Sequence, residues 1–338
     1  MYKRNILIAG GMGFIGTAMV KRFVKKDNVT IVDRLDFGIS EEIKHLVDNG
    51  LVEFIEEDLA EIGVIHDRIR NGEFDAIINV AALTHIPSCS LFPNFAYESN
   101  TLSVLNILNN LPQKTKLINF STSSTYAPEN IGHKEDTSDL HPIDLYGWTK
   151  KHMEDLCHVY CEKDNLQILN IRLANAAGYG ETNPKLIGTI FLQMQTNNSY
   201  VELGNLTPKR DFIHIDDIAW VINQLTIVWP VKAGKVEIIN LGTGHNPISV
   251  KEIFDKINSC VKNKFSIRVS EERKRVIDRQ LLCVDCTKLF KILPEYNPQS
   301  IDDWLPKLVK DPNLRINNKL QENLNKKYGS RSKKIPTY

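Results

Sequence analysis

Along the first half of the chain, short runs rich in Ile and Val alternate with amphipathic stretches of helical length. This alternation is the signature of parallel strands joined by crossover helices. It predicts strands at Asn5–Ala9, Val29–Asp33, Val52–Glu56, Asp75–Ala81, Lys116–Thr122 and Gln167–Leu173. In the fourth, Ala76-Ile-Ile-Asn-Val-Ala-Ala82 is almost continuously apolar, so it is expected to be covered on both faces, as in a sheet between two helical layers. Residues 1–175 therefore read as one α/β unit, a Rossmann-like doubly wound parallel sheet. Beyond Gly180, Pro, Gly and Asn break the pattern around helices expected at Leu186–Gln195, Asp216–Val228 and Val250–Val261. No linker intervenes, so residues 176–312 read as a smaller C-terminal α/β substrate lobe interleaved with the sheet. Residues 313–338 read as a basic, solvated tail.

Composition narrows the class. A chain of 338 residues, 42% hydrophobic and 25% charged, has material for a large core and is neither disordered nor fibrous. Its net charge of +1 carries no bulk footprint of a nucleic-acid or anionic-membrane partner, so any bound anion must be held locally. Six irregularly spaced cysteines do not make a secreted disulfide framework and suit a reducing cytoplasm. The apolar run Ile6–Ala9 is too short for a secretion signal, and no stretch reaches the roughly twenty apolar residues of a membrane span. A soluble, cytoplasmic protein is expected. Cys283-x-x-Cys286 lacks a second Cys pair or a nearby His and reads as structural thiols, not a metal site, while Cys157 and Cys161 share a helix face suited to the core.

The candidate chemistry begins at Gly10-Gly11-Met12-Gly13-Phe14-Ile15-Gly16, placed after the first strand and opening a helix. Gly10, Gly13 and Gly16 would tighten the turn, let backbone amides approach a pyrophosphate and bring helix and strand together. Asp33, at the end of the second strand, could bind adenosine ribose hydroxyls and repel a 2′-phosphate, which favours NAD over NADP. The adjacent Arg34 could blunt that preference or simply be solvated. Asp58-Leu59, ending the third strand, sits where an adenine would be flanked, although Asp58 reads equally as a helix cap. Tyr146-Gly-Trp-Thr-Lys150 puts a phenol and an ammonium on one helix face. Beside a hydride acceptor such a pair becomes an acid/base device, because positive charge favours the phenolate. The hydroxyl-rich run Phe120-Ser121-Thr122-Ser123-Ser124-Thr125-Tyr126 ends the fifth strand, where doubly wound sheets place their ligands. His85, just past the fourth strand, lies near the expected cleft and reads equally as a structural histidine or a cleft contact.

Together with Ala81-Ala82, Arg172-x-x-Asn175 and Arg210-Asp-Phe-Ile-His-Ile-Asp-Asp217, these motifs resemble the extended short-chain dehydrogenase/reductases, in the nucleotide-sugar epimerase and dehydratase branch, over about residues 4 to 310. The resemblance implies that Thr122 and Tyr146 are catalytic and that Lys150 holds the nicotinamide ribose. It implies an NAD site made by Gly10, Gly13, Phe14, Ile15, Gly16, Asp33, Asp58, Leu59, Ala81, Ala82, Tyr146 and Lys150. For a nucleotide-diphosphate sugar it implies contacts from His85, Ser123, Ser124, Asn175, Arg210, Arg275 and Asp278. Two arginines suit a diphosphate because guanidinium groups bind phosphate oxygens bidentately. A homodimer is implied as well, built on the Tyr146 helix and a Phe95–Leu111 helix, both apolar around much of their circumference. No metal is implied. Ala127, Tyr179 and the Leu203–Arg210 segment depart from the family pattern around the sugar pocket. The expected activity is a 4-epimerase. A 4,6-dehydratase would carry Asp-Glu where Ser123 and Ser124 stand, a 4-dehydrogenase or 4-ketoreductase would share every catalytic residue, and a non-catalytic dinucleotide-binding protein would have no reason to keep Thr122, Tyr146 and Lys150 together.

Overall fold

The computed structural model describes residues 3–36, 38–181, 185–196, 199–229, 232–244, 247–274 and 278–310. Seven parallel strands form the central sheet, in the spatial order Glu237–Leu241, Gln167–Leu173, Lys116–Thr122, Ala76–Asn79, Asn5–Ala9, Asn28–Asp33 and Val52–Glu56. The order reverses between Asn5–Ala9 and Ala76–Asn79, and the crevice outside the carboxyl ends of these strands is where doubly wound sheets bind ligands. Strand periodicity divides the core. In the first strand Ile6 and Ile8 join the layer containing the helices Phe14–Phe23 and Ile215–Val228, while Leu7 and Ala9 join the layer containing Val64–Arg70, Ser103–Asn110 and Leu145–Asp164.

All six expected strands form. The fourth is shorter than expected, Ala76–Asn79 instead of Asp75–Ala81, because the chain turns out of the sheet into the cleft at Val80. The seventh, Glu237–Leu241, comes from the later segment, so that segment completes the sheet as well as building the smaller lobe. The expected helices form at Leu186–Thr196, Ile215–Val228 and Val250–Cys260. With Trp304, Leu305 and Leu308, residues such as Ile190, Phe191, Leu203, Phe212 and Phe254 make a separate core for the lobe. The expected Phe95–Leu111 helix is not continuous. It consists of the α-helix Pro93–Tyr97, a π-helical turn at Glu98–Leu102 and the α-helix Ser103–Asn110. The wider turn accompanies a side-chain commitment: Asn100 accepts the Leu83 amide at 2.7 Å and donates to the Leu83 carbonyl and the Thr149 hydroxyl. No described helix is long and apolar enough to cross a membrane. The expected basic tail, 313–338, lies outside the described residues.

Candidate active site

Three consecutive residues at the end of the fifth strand each meet one residue of the helix Leu145–Asp164. The Lys150 ammonium donates to the Phe120 carbonyl at 2.8 Å. The Ser121 hydroxyl donates to the Glu154 carboxylate. The Thr122 hydroxyl hydrogen-bonds the Tyr146 phenol. Helix and strand can approach this closely because residue 147 is glycine: a Cβ there would sit 2.7 Å from the Ser124 carbonyl oxygen. Asp144 fixes the helix start, its Oδ1 accepting the Gly147 amide at 2.8 Å. Thr122 in turn caps the short 3-10 turn Ser123–Thr125, accepting the Ser124 amide at 3.2 Å. Burial pushes the Tyr146 phenol up, with the Thr122 hydrogen bond acting in the opposite direction. Burial also pulls the Lys150 ammonium down to about 8. Both shifts favour the neutral form of the group concerned and so move the two titrations apart from their nearly equal positions in water.

The glycine loop packs tightly against the first helix and the fourth strand's exit. Gly10 has φ +80°, and a Cβ there would sit 2.7 Å from the Ala81 backbone; at Gly16 it would lie 2.0 Å from the Gly10 carbonyl oxygen. Phe14 packs its ring into the core, which leaves the helix N-terminus, with no acid in its first turn, open to an anion. Asp33 accepts the Met12 and Leu35 amides at 3.0 and 2.8 Å, and burial raises its carboxyl. Arg34 is not solvated. It donates to Asp36, Asp58 and Ser99 at 2.8, 3.2 and 2.9 Å and stacks over Phe95. Asp58 also accepts the Ala60 amide at 3.0 Å, so it closes a turn as well as bordering the cleft. Gly10, Gly13, Asp33, Asp58, Leu59, Ala81 and Ala82 line a cavity of about 80 Å³.

A second cavity of about 280 Å³ is lined by Ile15, His85, Thr122, Ser124, Tyr146, Lys150, Asn175, Arg210 and Asp278, so the structure brings these sequence-derived candidates together. Val80 and Ala82 line both cavities, which therefore meet above the carboxyl ends of the first and fourth strands. Ser123 is buried and does not line either cavity. Arg275 lies outside the described residues. His85 is buried, with Nδ1 2.8 Å from the Ser88 hydroxyl, and keeps an edge on the cavity. Arg210 pairs with Asp278 at 3.0 Å. The sequence reading missed Arg279, a buried guanidinium in the cavity wall that donates to the Tyr126 and Ser124 carbonyls at 2.7 and 3.0 Å and so pins the turn after Thr122. It also missed Asp144, Glu181 and Lys185, which reach the same wall from scattered positions; adjacency to Asp278 was the one signal that could have pointed to Arg279.

The sequence profile of the NAD dependent epimerase/dehydratase family matches residues 6–242. The chain belongs to that family. It is similar to UDP-arabinose 4-epimerase 1 of Arabidopsis thaliana, 28% identical over 319 residues covering 86% of this chain and 74% of that protein. It is similar to the UDP-glucuronate 4-epimerase of Thermodesulfobacterium geofontis, 27% identical over 312 residues covering 90% and 94%. Its fold is that of the UDP-glucuronic acid 4-epimerase of Bacillus cereus, solved with UDP-glucuronic acid and NAD, at TM-score 0.80 and 22% identity over 94% of this chain and 99% of that one. The family's cofactor is NAD, and the residues present fit it. The close-packed Gly10 and Gly16 leave a cradle that any side chain would fill, the unblocked helix N-terminus beside it would suit a pyrophosphate, and Asp33 in the same cavity wall would suit the adenosine ribose.

The six cysteines are free thiols, with Cys89, Cys157, Cys161 and Cys286 buried. Among the described residues no group of three or more His, Cys, Asp or Glu side chains is arranged to hold a metal ion.

Proposed function

We propose that the protein is an NAD-dependent nucleotide-sugar 4-epimerase in which Tyr146 is the acid/base, Thr122 orients the reacting hydroxyl and Lys150 favours the phenolate. The observation that carries the proposal is the meeting of Thr122, Tyr146 and Lys150 in one cavity wall, with a hydroxyl, Ser124, beside them. Relatives named as 4-epimerases of UDP-sugars support it. NAD, when bound, supplies a hydride acceptor and a positive charge beside the phenol. Tyr146 Oη accepts the proton of the C4 hydroxyl as the C4 hydride would pass to that acceptor, and gives it back to the same C4 oxygen once the 4-keto sugar has turned over and would regain the hydride on its other face, so that a sugar inverted at C4 leaves. Asn175 and His85 contact the sugar, Arg210, Asp278 and Arg275 hold the nucleotide diphosphate and ribose, and the apolar end of the cavity, with Phe191 and Phe212, receives the base. Ser123, which is buried, acts by shaping the turn.

The same reading takes residues 1–175 as the cofactor-binding part and 176–312 as the substrate lobe. It places the protein in the cytoplasm as a homodimer through the helix Leu145–Asp164 and the Pro93–Asn110 stretch; exposed Val159 and Leu102 on these segments support that surface. Light scattering at micromolar concentration tests the dimer, and monomer alone rejects it.

The activity is tested by incubating the protein and NAD with UDP-, dTDP-, GDP- and CDP-hexoses and analysing the products by chromatography and mass spectrometry. A product of unchanged mass and new retention is expected. A species about 18 Da lighter would mean a dehydratase, and a two-hydrogen loss with stoichiometric consumption of NAD would mean a dehydrogenase.

A further inference from the structure

One carboxylate of the catalytic helix has no role in the reaction as described so far. Glu154 lies one helical turn beyond Lys150, on the same face, and is buried with a relative exposure of 2%. Arg172, from the sixth strand, grips it with Nη2 to Oε2 at 2.7 Å and Nε to Oε1 at 3.1 Å, and Ser121 donates to it from the fifth. Arg172 is equally buried, and its Nη1 continues to the Tyr126 hydroxyl at 3.1 Å, which donates to Asn240 on the seventh strand at 2.7 Å. Burying an ion pair this completely costs desolvation that the pair's own attraction often fails to recover. Apolar residues of similar volume would hold helix and sheet together at least as well, so packing alone does not account for this choice.

Its position does. The three rungs between strand and helix are Phe120 to Lys150, Ser121 to Glu154 and Thr122 to Tyr146, so on the strand the anchor of Glu154 stands between the two that carry the chemistry, and on the helix Glu154 lies one turn beyond Lys150. We infer that Glu154, clamped by Arg172 and Ser121, is a positioning residue of the reaction that sets both the place and the charge of Lys150. The inference rests on the proposed role of Lys150. The groups that face Lys150 are Cys89 from the helix Ile86–Leu91, Glu154 and Cys157 from its own helix, and Arg172 behind Glu154. Burial drives the Cys89 thiol upward and the Cys157 thiol to about 12, so both are neutral where Lys150 titrates. Glu154 is then the negative charge opposing the burial that pulls Lys150 down.

The test uses NMR of the full-length protein with ¹³C-labelled lysine side chains, in which the Lys150 signal is the one absent from Lys150→Met. Glu154→Gln alone leaves the buried Arg172 charge unmatched, so the double variant Glu154→Gln/Arg172→Gln, which removes both charges, is the main probe. Its Lys150 midpoint is expected below wild type by about half a pH unit, since Arg172's opposing charge goes with that of Glu154, with the alkaline limb of kcat moving down by the same amount. A folded double variant whose Lys150 midpoint stays within about 0.2 unit of wild type overturns the inference. Should the double variant not fold, Glu154→Asp decides: it keeps the charge but draws it back by one methylene, and a fall of about threefold in kcat with a midpoint lowered by a few tenths of a unit is expected. Unchanged kcat and midpoint there overturn it. If Lys150→Met itself leaves turnover intact, the proposed role of Lys150 fails, while the midpoints still judge the effect of Glu154 on that lysine.

Discussion

Gly147 gives the sharpest quantitative test of how helix and strand assemble the site. In Gly147→Ala the added Cβ would lie 2.7 Å from the Ser124 carbonyl oxygen and 2.9 Å from Cβ of Pro142, where ordinary contact begins near 3.4 Å. The helix must therefore withdraw from the hydroxyl run by about 0.7 Å, the shortfall in the Ser124 contact (3.4 minus 2.7). Gly147 adjoins Tyr146, so the displacement falls on the phenol. A misplacement of 1 Å can cost about a hundredfold in rate, and 0.7 Å scales to roughly tenfold or somewhat more, about 1.4 to 2 kcal/mol of transition-state stabilisation. Stability moves less. Alanine gains up to about 1 kcal/mol over glycine in a helix, against about 1 to 3 kcal/mol for overpacking. NAD binding, which draws mainly on the glycine loop at the other end of the cleft and only in part on Lys150, should fall by less than kcat does. Turnover of the active nucleotide sugar at saturation, NAD titration by tryptophan fluorescence and a urea melt together make the assay. Wild-type kcat in a folded Gly147→Ala protein, or equal losses of NAD affinity and kcat, would refute the reasoning.

Tyr146→Phe keeps the ring volume and removes only the ionisable oxygen; kcat should fall well over tenfold with an unchanged melt, and retention of more than about a tenth excludes the phenol as base. Lys150→Met removes the positive charge that favours the phenolate, so the reaction should slow and its pH optimum rise, a shift read from kcat profiles between pH 6 and 10. Asp33→Ser should narrow the preference for NAD over NADP by removing a carboxylate, and should also weaken NAD because the amides of Met12 and Leu35 lose their acceptor; equal or tighter NADP binding by the unmodified protein would sink the assignment. His133 is buried against Tyr126 and its imidazole is pulled down to about 4 by burial. The unfolded chain takes up that proton first, so the contribution is complete above about pH 6.5 and is lost as pH falls toward about 4, roughly 2 to 3 kcal/mol. Urea melts at pH 7.5 and 4.5 should show a smaller acid loss in His133→Phe than in wild type, and equal losses reject the assignment.

What the sequence disclosed followed from periodicity and spacing along the chain, and what it withheld depended on contacts between distant segments. Near-continuous apolar runs placed six strands because strands buried on both faces leave few polar positions. The seventh, Glu237–Leu241, is short and emerges from a stretch punctuated by Gly and Asn, so its local signal is weak and its pairing with Gln167–Leu173 supplies the rest. The asparagines of the buried strands had no reading as single residues. In the sheet Asn79 donates to Asn119 at 2.8 Å and Asn119 to Asn170 at 3.4 Å, a polar row that exists only once three strands lie in register. Arg34 illustrates the converse. Beside Asp33 it read equally as a residue that blunts the cofactor preference and as a solvated one, but Asp36 of its own stretch, Asp58, and Phe95 and Ser99 of one helical stretch converge on it.

The sugar end shows most clearly how far a local motif can carry a functional argument. Absence of an Asp-Glu pair after Thr122 was the reason to prefer epimerisation over loss of water, because a serine hydroxyl is too weak an acid to protonate a leaving hydroxyl. Folding nevertheless brings three carboxylates, Asp144, Glu181 and Asp278, to the wall of the same cavity from positions far apart in the chain. The preference therefore has to rest on what those groups hold. Asp144 is committed through Oδ1 to the amide that starts the catalytic helix, Asp278 is paired with Arg210, and Glu181 lies 3.9 Å from Lys185. Releasing Asp144 to act as a proton donor would disturb the helix start, and releasing Asp278 would leave Arg210 unmatched in the cavity wall, whereas the Glu181 contact with Lys185 is the loosest of the three. The hydroxyl of Ser124 is the group beside Thr122 that can meet the sugar without such a rearrangement. On the proposed reading a sugar oxidised at C4 in this cavity would find a phenol to return its proton and a hydroxyl to hydrogen-bond, while Asp144 and Asp278 are engaged elsewhere and Glu181 is the acid to replace should a species about 18 Da lighter form.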